Sequence, residues 1–286
     1  MPLAPVTVII PAFNEAASIS TVVSDLVGAA LPFIAEIIVI DDGSSDETGR
    51  LAEIAGARLV RHRQNRGYGA ALKSGIRAAQ TEFVLTYDAD GQHRPDQLAA
   101  LWTAHEAADM VVGARQALLH SPLWRMPGKW LLNLMANYLM RRRIPDLNSG
   151  LRLMRREVIS RYLHLCPNGF SFSTTSTLAL LSRGYDVAFT PITVAPRAGR
   201  STVSLRAGLD TIVLILRIAA LFEPLRIFVP ASLLSGLAGV LWGIPYALAG
   251  RGVSVGALLA IVTGILLFGL GILSDQISQL RLERYE

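Results

Sequence analysis

The chain has 286 residues, of which 51% are hydrophobic, with a net charge of +5 and a single cysteine, Cys166. At roughly 100 to 200 residues per domain that length holds one large domain and an appendage, and a lone cysteine excludes an intrachain disulfide and any need for an oxidising compartment. Positive charge also suits nucleic acid, but no basic and aromatic array for stacking bases accompanies it, so no nucleic-acid partner is expected and a membrane surface fits the charge better.

The first residues, 1–13, are apolar, lack a preceding basic segment and run straight into an alternating pattern, so no cleaved signal peptide is expected. Short β-branched runs at 6–10, 36–40, 57–60, 83–87 and 110–112 predict strands, and the stretches 16–30, 46–55, 67–79 and 95–108 between them predict helices. This alternation predicts an α/β fold, a Rossmann-like and mostly parallel sheet with helices on both faces. Runs such as 37–40 and 83–85 are apolar without alternation, as strands buried on both sides are. Ligands of such sheets bind beyond the carboxyl ends of the strands.

After Arg115 the pattern loosens. An amphipathic helix is expected over 130–143, a further helix over 174–183 and a final strand pair over 186–195. From 205 to 222 an apolar helical pattern carries Arg206, Asp210 and Arg217, which suits a helix lying in a membrane interface. Two spans follow, about 225–249 and 253–273, each near the ~20 residues that cross a bilayer. Only Gly250, Arg251 and Gly252 separate them, so they form a tight hairpin, and Gly236, Gly239 and Pro245 are tolerated inside membrane helices. Arg217 and Arg226 before the pair and Arg281 and Arg284 after it outweigh Arg251 between, which predicts that both ends are cytosolic. The expected organisation is a catalytic domain over 1–204, an interface helix over 205–224 and a transmembrane hairpin with its tail over 225–286.

The polar clusters begin where strands end. Asp88, Ala89, Asp90, Gly91, Gln92 and His93 follow the strand at 83–87. Two carboxylates one residue apart offer the hard oxygen ligands that Mg²⁺ and Mn²⁺ take while bridging phosphates, and Gln92 adds another oxygen. A solvated turn explains the same pattern less well at a strand end followed by Gln-His. Asp41, Asp42, Gly43, Ser44, Ser45 and Asp46 end another strand; helix capping accounts for part of that cluster, and one of the two adjacent acids is free for a base or ribose. Pro11, Ala12, Phe13, Asn14 and Glu15 follow the first strand, with Pro11 expected to end it.

In this order, with Asn65 to Gly69, Val111 to Arg115 and Asp146 to Arg152 added, the clusters resemble the inverting family 2 glycosyltransferases of the GT-A fold. Within that family the chain is most similar to the polyprenyl-phosphate hexose synthases, of which dolichyl-phosphate mannose synthase and the bacterial undecaprenyl-phosphate glucosyltransferases are typical. The resemblance covers about residues 6–204, and the hairpin matches the bacterial type. It implies transfer of a hexose from a UDP- or GDP-hexose to a polyprenyl phosphate with inversion, a Mg²⁺ or Mn²⁺ cofactor, and a bacterial inner-membrane protein, able to form a homo-oligomer, with its catalytic domain in the cytosol.

Residue by residue, the resemblance implies a nucleotide-sugar pocket lined by Pro11, Phe13, Glu15, Ile40, Asp42, Asp88 and Ala89, with a metal held by Asp88, Asp90 and Gln92. It implies that Arg115, assisted by Arg125, contacts the acceptor phosphate, and that Asp146 is the base or orienting acid beside it. Where relatives carry a lysine after Gly-x-Ser, this chain has Thr202, so Arg197 or Arg200 is expected to supply the cation. A transferase of the same fold acting on another lipid or on a polysaccharide, and a non-catalytic membrane scaffold, are the alternatives. The intact acids at 42, 88, 90 and 146 speak against the scaffold.

Overall fold

The computed structural model describes residues 5–115, 134–194, 213, 217 and 220–283. The chain divides into two compact units, Met1–Val203 and Ser204–Glu286.

The first unit is built on a sheet of seven described strands: β1 (Val6–Ala12), β2 (Ile34–Asp41), β3 (Arg58–Arg61), β4 (Phe83–Thr86), β5 (Met110–Arg115), β6 (Arg152–Arg155) and β7 (Val187–Ile192). Their order across the sheet is β3-β2-β1-β4-β6-β5-β7. All neighbours run parallel except β6, which is antiparallel to both β4 and β5. The strands at the centre are apolar because both their faces are covered. Val8, Ile10, Val39 and Leu85 pack into one core with Ile19, Val23 and Leu26 of α1 (Ile19–Gly28) and with Leu98 and Leu101 of α4 (Asp96–Thr103). On the opposite face α3 (Tyr68–Ala78) lies so close to β1 that a Cβ on Gly75 would come within 2.3 Å of Ile9 Cγ2. This unit also contains α2 (Thr48–Ile54), α5 (Arg156–Tyr162) and α6 (Phe172–Ser182). Cys166 is buried, and burial pushes its thiol up to about 12, so it stays an unreactive thiol at neutral pH.

Several expectations are corrected here. Pro11 does not end β1, which continues to Ala12 and pairs with β2 as far as Ala12 and Asp41. The reason lies in the neighbours. Ile9 points its carbonyl toward β4, where it accepts from Tyr87 N, and Ala12 points its carbonyl toward β2, where it accepts from Asp42 N. Pro11 shares the Ile9 side, and pairing with β4 has already stopped at Ile9 and Thr86. Its missing N–H therefore faces a gap in the sheet, where no ladder bond is lost.

The segment after Asp146 contains a strand, β6, that alternation did not reveal because arginines occupy both its ends. The final strand pair is one strand, β7, which pairs in parallel with β5. The helix expected over 95–108 is broken into α4 and a short 3₁₀ turn, Ala104–Ala107. Of the expected helix 130–143, residues 134–140 are helical and 130–133 lie outside the described residues.

The second unit contains α7 (Leu225–Leu248) and α8 (Val255–Glu283), each long and apolar enough to cross a membrane, with mean hydropathies of 1.9 and 2.5 over their candidate spans. Glycines allow the two helices to approach: a Cβ on Gly239 would lie 2.8 Å from Ala257 O, and one on Gly264 would lie 2.8 Å from Ser232 O. Ser235 Oγ donates across the pair to Ala260 O at 2.8 Å. Gly250 and Gly252 take positive φ in the turn between them. The second helix runs past the expected end at residue 273. The interface helix expected over 205–224 falls almost wholly outside the described residues.

Candidate active site

The gap between β1 and β4 beyond Ile9 and Thr86 is the crevice that a parallel sheet offers to a ligand. Three loops close one side of it. Asn14, at φ 55, donates its N–H to Ser44 Oγ at 3.0 Å and accepts Ser45 N on its Oδ1 at 2.9 Å. Glu15 N donates to Thr48 Oγ1 at 2.8 Å, and Ala16 N to Asp46 Oδ2 at 3.2 Å. The Ser-Ser-Asp-x-Thr run therefore latches the loop after β1 to the loop after β2. It also caps α2 in part: Asp46 Oδ1 accepts Thr48 N at 3.1 Å at the first residue of the helix, while Glu47, next to it, makes no side-chain cap bond. Phe13 stands exposed on this rim, Glu15 is half-buried, and Pro11 and Ile40 are buried behind it.

Both acids at the end of β2 are engaged by the chain itself. Asp41 is fully buried, accepts Ser44 N at 2.8 Å and faces Arg61 Nε at 3.1 Å. Asp42 accepts from Arg66 N at 3.0 Å and Gly67 N at 2.8 Å and pairs with His62 Nδ1 at 2.6 Å, while His62 Nε2 meets Ser74 Oγ at 2.8 Å. Asp42 thus fixes the loop that leads into α3, and any nucleotide contact it makes is shared with these donors. That helix start is itself crowded. A Cβ on Gly67 would lie 2.6 Å from Asn168 O and one on Gly69 2.3 Å from Pro167 O, and Asn168 O already accepts Ala70 N at 3.1 Å.

Asp88, Ala89, Asp90 and Gln92 occupy the loop that leaves β4. Asp88 is held on three sides: Tyr68 Oη donates to its Oδ1 at 2.9 Å, His93 Nε2 lies 3.5 Å from its Oδ2, and Gly150 presents no side chain where a Cβ would come within 2.2 Å of the same oxygen. Burial works to raise its pKa, but the hydrogen bond and charge of His93, the Tyr68 hydroxyl and the Arg115 guanidinium prevail and leave it below the usual carboxylate range. Asp88 is therefore ionised at neutral pH. Ala89 is buried beneath it. Asp90 Oδ1 accepts Gln92 N at 3.1 Å across a turn in which Gly91 has φ 70, so its carboxylate is fixed in direction. Among the described residues no three His, Cys, Asp or Glu side chains gather as a metal cage. Two carboxylates and an amide on one loop offer the hard oxygen donors that Mg²⁺ and Mn²⁺ take.

Arg115 and Asp146, expected on the acceptor side, meet each other. Arg115 Nε donates to Asp146 Oδ2 at 2.7 Å and Nη2 to Oδ1 at 3.0 Å, and the Arg115 backbone N–H adds a bond at 3.3 Å. The fork is two-pronged, with the arginine side chain 43% exposed and the carboxylate 10% exposed, so the guanidinium keeps an edge toward solvent. Burial raises the Asp146 pKa, but Arg115 and the Asn148 N–H outweigh it and hold the carboxyl below its ordinary value. An acid so held is a weak base at neutral pH and a strong orienting group. Arg125, Arg197 and Arg200 lie outside the described residues.

Sequence reasoning missed the residues that support these acids: His62, Tyr68, His93, Gly150 and Arg152. Of these only His93 belongs to a polar cluster at a strand end, the one that follows β4, and it has no assigned role there. Only the fold brings them there.

The comparisons agree with this architecture. A family model described as "Glycosyl transferase family 2" matches residues 7–163, more than half of the chain, and a second, "GtrB C-terminal hairpin", matches residues 223–280. The chain belongs to glycosyl transferase family 2. A polyprenol monophosphomannose synthase of Mycolicibacterium smegmatis is 34% identical over 207 residues, covering 66% of this chain and 77% of that one. An undecaprenyl-phosphate 4-deoxy-4-formamido-L-arabinose transferase of Yersinia pestis is 29% identical over 171 residues, which are 57% of this chain and only 52% of the relative. Among solved structures, glucosyl-3-phosphoglycerate synthase of Mycobacterium tuberculosis with Mn²⁺, UDP-glucose and phosphoglyceric acid superposes with a TM-score of 0.62 over 76% of this chain and 80% of that one. At 22% identity that likeness speaks to the fold.

Proposed function

We propose that this protein transfers a hexose from a UDP- or GDP-hexose to a polyprenyl phosphate with inversion at the anomeric carbon. The observation that carries the reading is that one chain unites a family 2 transferase unit, with acids at the end of β4, and an apolar two-helix hairpin of the GtrB type. Relatives named for transfer to polyprenol and undecaprenyl phosphate support it. The basic residues flanking the hairpin favour a catalytic unit on the cytosolic side of a bacterial inner membrane. The solved neighbour with Mn²⁺ and a nucleotide sugar supports a divalent metal, Mg²⁺ or Mn²⁺.

In this reading Asp88, Asp90 and Gln92 would hold the metal, whose positive charge would offset that of the departing diphosphate. Pro11, Phe13, Glu15, Ile40 and Ala89 wall the nucleotide-sugar crevice. The Arg115 edge that faces solvent binds the acceptor phosphate, and Asp146 keeps that edge aimed. A phosphate acceptor is already anionic at neutral pH, so orientation outweighs proton removal in the work of Asp146. A single in-line displacement on the anomeric carbon then inverts it.

Purified full-length protein incubated with labelled UDP- and GDP-hexoses, divalent metal and undecaprenyl or dolichyl phosphate tests the proposal. A lipid-linked product identified by mass is expected. Absence of any such product across the screen refutes the reading.

The seat of Asp88 yields a sharper expectation. Gly150→Ala places a methyl group into the Asp88 carboxylate and is expected to lower turnover roughly 10²-fold, the usual effect of misplacing a catalytic group by about an ångström. The far-ultraviolet circular dichroism should not change. Steady-state rates at saturating donor measure the loss, and a rate near wild type shows that Asp88 tolerates displacement.

A further inference from the structure

Arg152 has no place in the reading above, yet it is among the largest fully buried side chains, at 1% exposure in β6. Among the described residues no carboxylate is bonded to it. Burial pulls its pKa down to about 10, which still leaves it charged at neutral pH. A buried cation without a paired anion is costly, and an apolar side chain of similar length would fill the same space at less cost. Core packing alone does not explain its presence.

Its hydrogen bonds indicate what it does. Nε donates to Ser149 O at 2.8 Å and Nη2 to Leu147 O at 2.8 Å, while Nη1 is held by Thr177 Oγ1 and by Ser176 Oγ at 3.5 Å on α6. The two carbonyls flank Asn148, whose Oδ1 accepts Thr174 Oγ1 at 2.9 Å from the same helix. At the far end of the loop Thr86 Oγ1 donates to Gly150 O at 2.5 Å and Gly113 N to Leu151 O at 2.9 Å. The loop so fastened carries Asp146, which pairs with Arg115, and Gly150, which makes room for Asp88. One guanidinium thus fixes the short link between the acid assigned to the donor side and the acid assigned to the acceptor side. The buried Ser-Thr-Thr-Ser-Thr run of α6, residues 173–177, supplies hydroxyls that hold both the loop and the guanidinium.

We propose that Arg152 is a positioning residue for the transfer reaction: its fork sets the 146–150 loop so that Asp88 and Asp146 keep a fixed relation. This inference rests on the functional reading given above. It differs from a purely structural role in what it changes. A structural role alters how many molecules fold, whereas a positioning role alters how well each folded molecule binds and reacts.

Calorimetric titration of the full-length protein in detergent with UDP and with GDP, each with Mn²⁺, separates the two, because stoichiometry counts competent molecules and Kd reports the site. For Arg152→Met the Kd is expected to rise about tenfold and kcat to fall roughly 10²-fold. Arg152→Lys keeps the charge but not the fork and is expected to fall between that variant and wild type. If Arg152→Met fails to fold, Thr177→Val, which removes one anchor of the guanidinium, should show the same direction with a threefold to fivefold rise in Kd, on the order expected for one lost hydrogen bond. Stoichiometry that drops while Kd and KM stay at their wild-type values overturns the inference, as do variants that match wild type in both. In either case, a wild-type protein that transfers sugar leaves the functional reading intact. A wild-type protein that binds neither nucleotide and transfers nothing overturns that reading and this inference with it.

Discussion

Asp90→Ala should abolish metal-dependent transfer, with turnover falling about 10³-fold, equivalent to roughly 4 kcal/mol of transition-state stabilisation. Asp90 Oδ1 accepts Gln92 N across the Gly91 turn, in the loop that also carries Asp88. Removing its carboxylate deletes a hard oxygen ligand and leaves Tyr68, His93 and Gly150 around Asp88 as they were. The substitution removes a loop carboxylate and no apolar side chain of the core, so folding and membrane insertion are expected to persist. Rates with Mg²⁺, Mn²⁺ and chelator, together with membrane fractionation, check this. Full activity in chelator, or in the variant, would refute the metal assignment.

The second large effect concerns the Arg115–Asp146 fork. Arg115→Ala and Asp146→Ala are each expected to reduce kcat/KM for the lipid acceptor about 10²-fold, and the double variant to fall little further. The reason is mutual dependence: the exposed guanidinium edge has a fixed direction only while the carboxylate grips its other side. Two variants that remove one unit do not add. Strict additivity in the double-mutant cycle would show that the two residues act separately.

The same pair sets an expectation for pH. The folded-state pKa of Asp146 lies below its unfolded value, so the contribution of the fork to stability is complete above the unfolded carboxylate range. It is lost as the pH falls through the lowered folded value. From about pH 6 to 8 the carboxyl stays ionised. Rate profiles of wild type and Asp146→Asn should therefore run parallel there, the variant lower throughout. A limb near neutrality that vanishes in Asp146→Asn would restore the general-base role.

Much of this architecture was legible in the sequence because apolar runs and polar clusters each lie within a few residues. The parallel strands β1 to β5 announced themselves as β-branched segments, and Asp88, Asp90 and Arg115 follow directly from strand ends. What was hidden depended on contacts between distant segments. The strand β6 begins and ends with arginine, and its antiparallel placement arises from the pairing of residues 152–155 with β4 and β5. The engagement of Asp42 by His62 and the Gly67 N–H, and the space that Gly150 leaves for Asp88, join residues 20 or more positions apart. No local pattern encodes them. Pro11 misled for the opposite reason: the local rule that proline ends strands is suspended where the neighbouring strand has already turned away.

The crowded start of α3 carries a consequence for how the protein handles negative charge. A glycine-rich turn opening a helix often cradles phosphate on free backbone N–H groups. Here the carbonyls of residues 167–169 occupy that space, and Asn168 O already takes the N–H of Ala70. The glycines at 67 and 69 make room for protein, not for a nucleotide. In the proposed reaction the charge of an incoming diphosphate would therefore fall less on this helix than on the proposed cation and the arginines, and transfer is expected to be intolerant of metal removal.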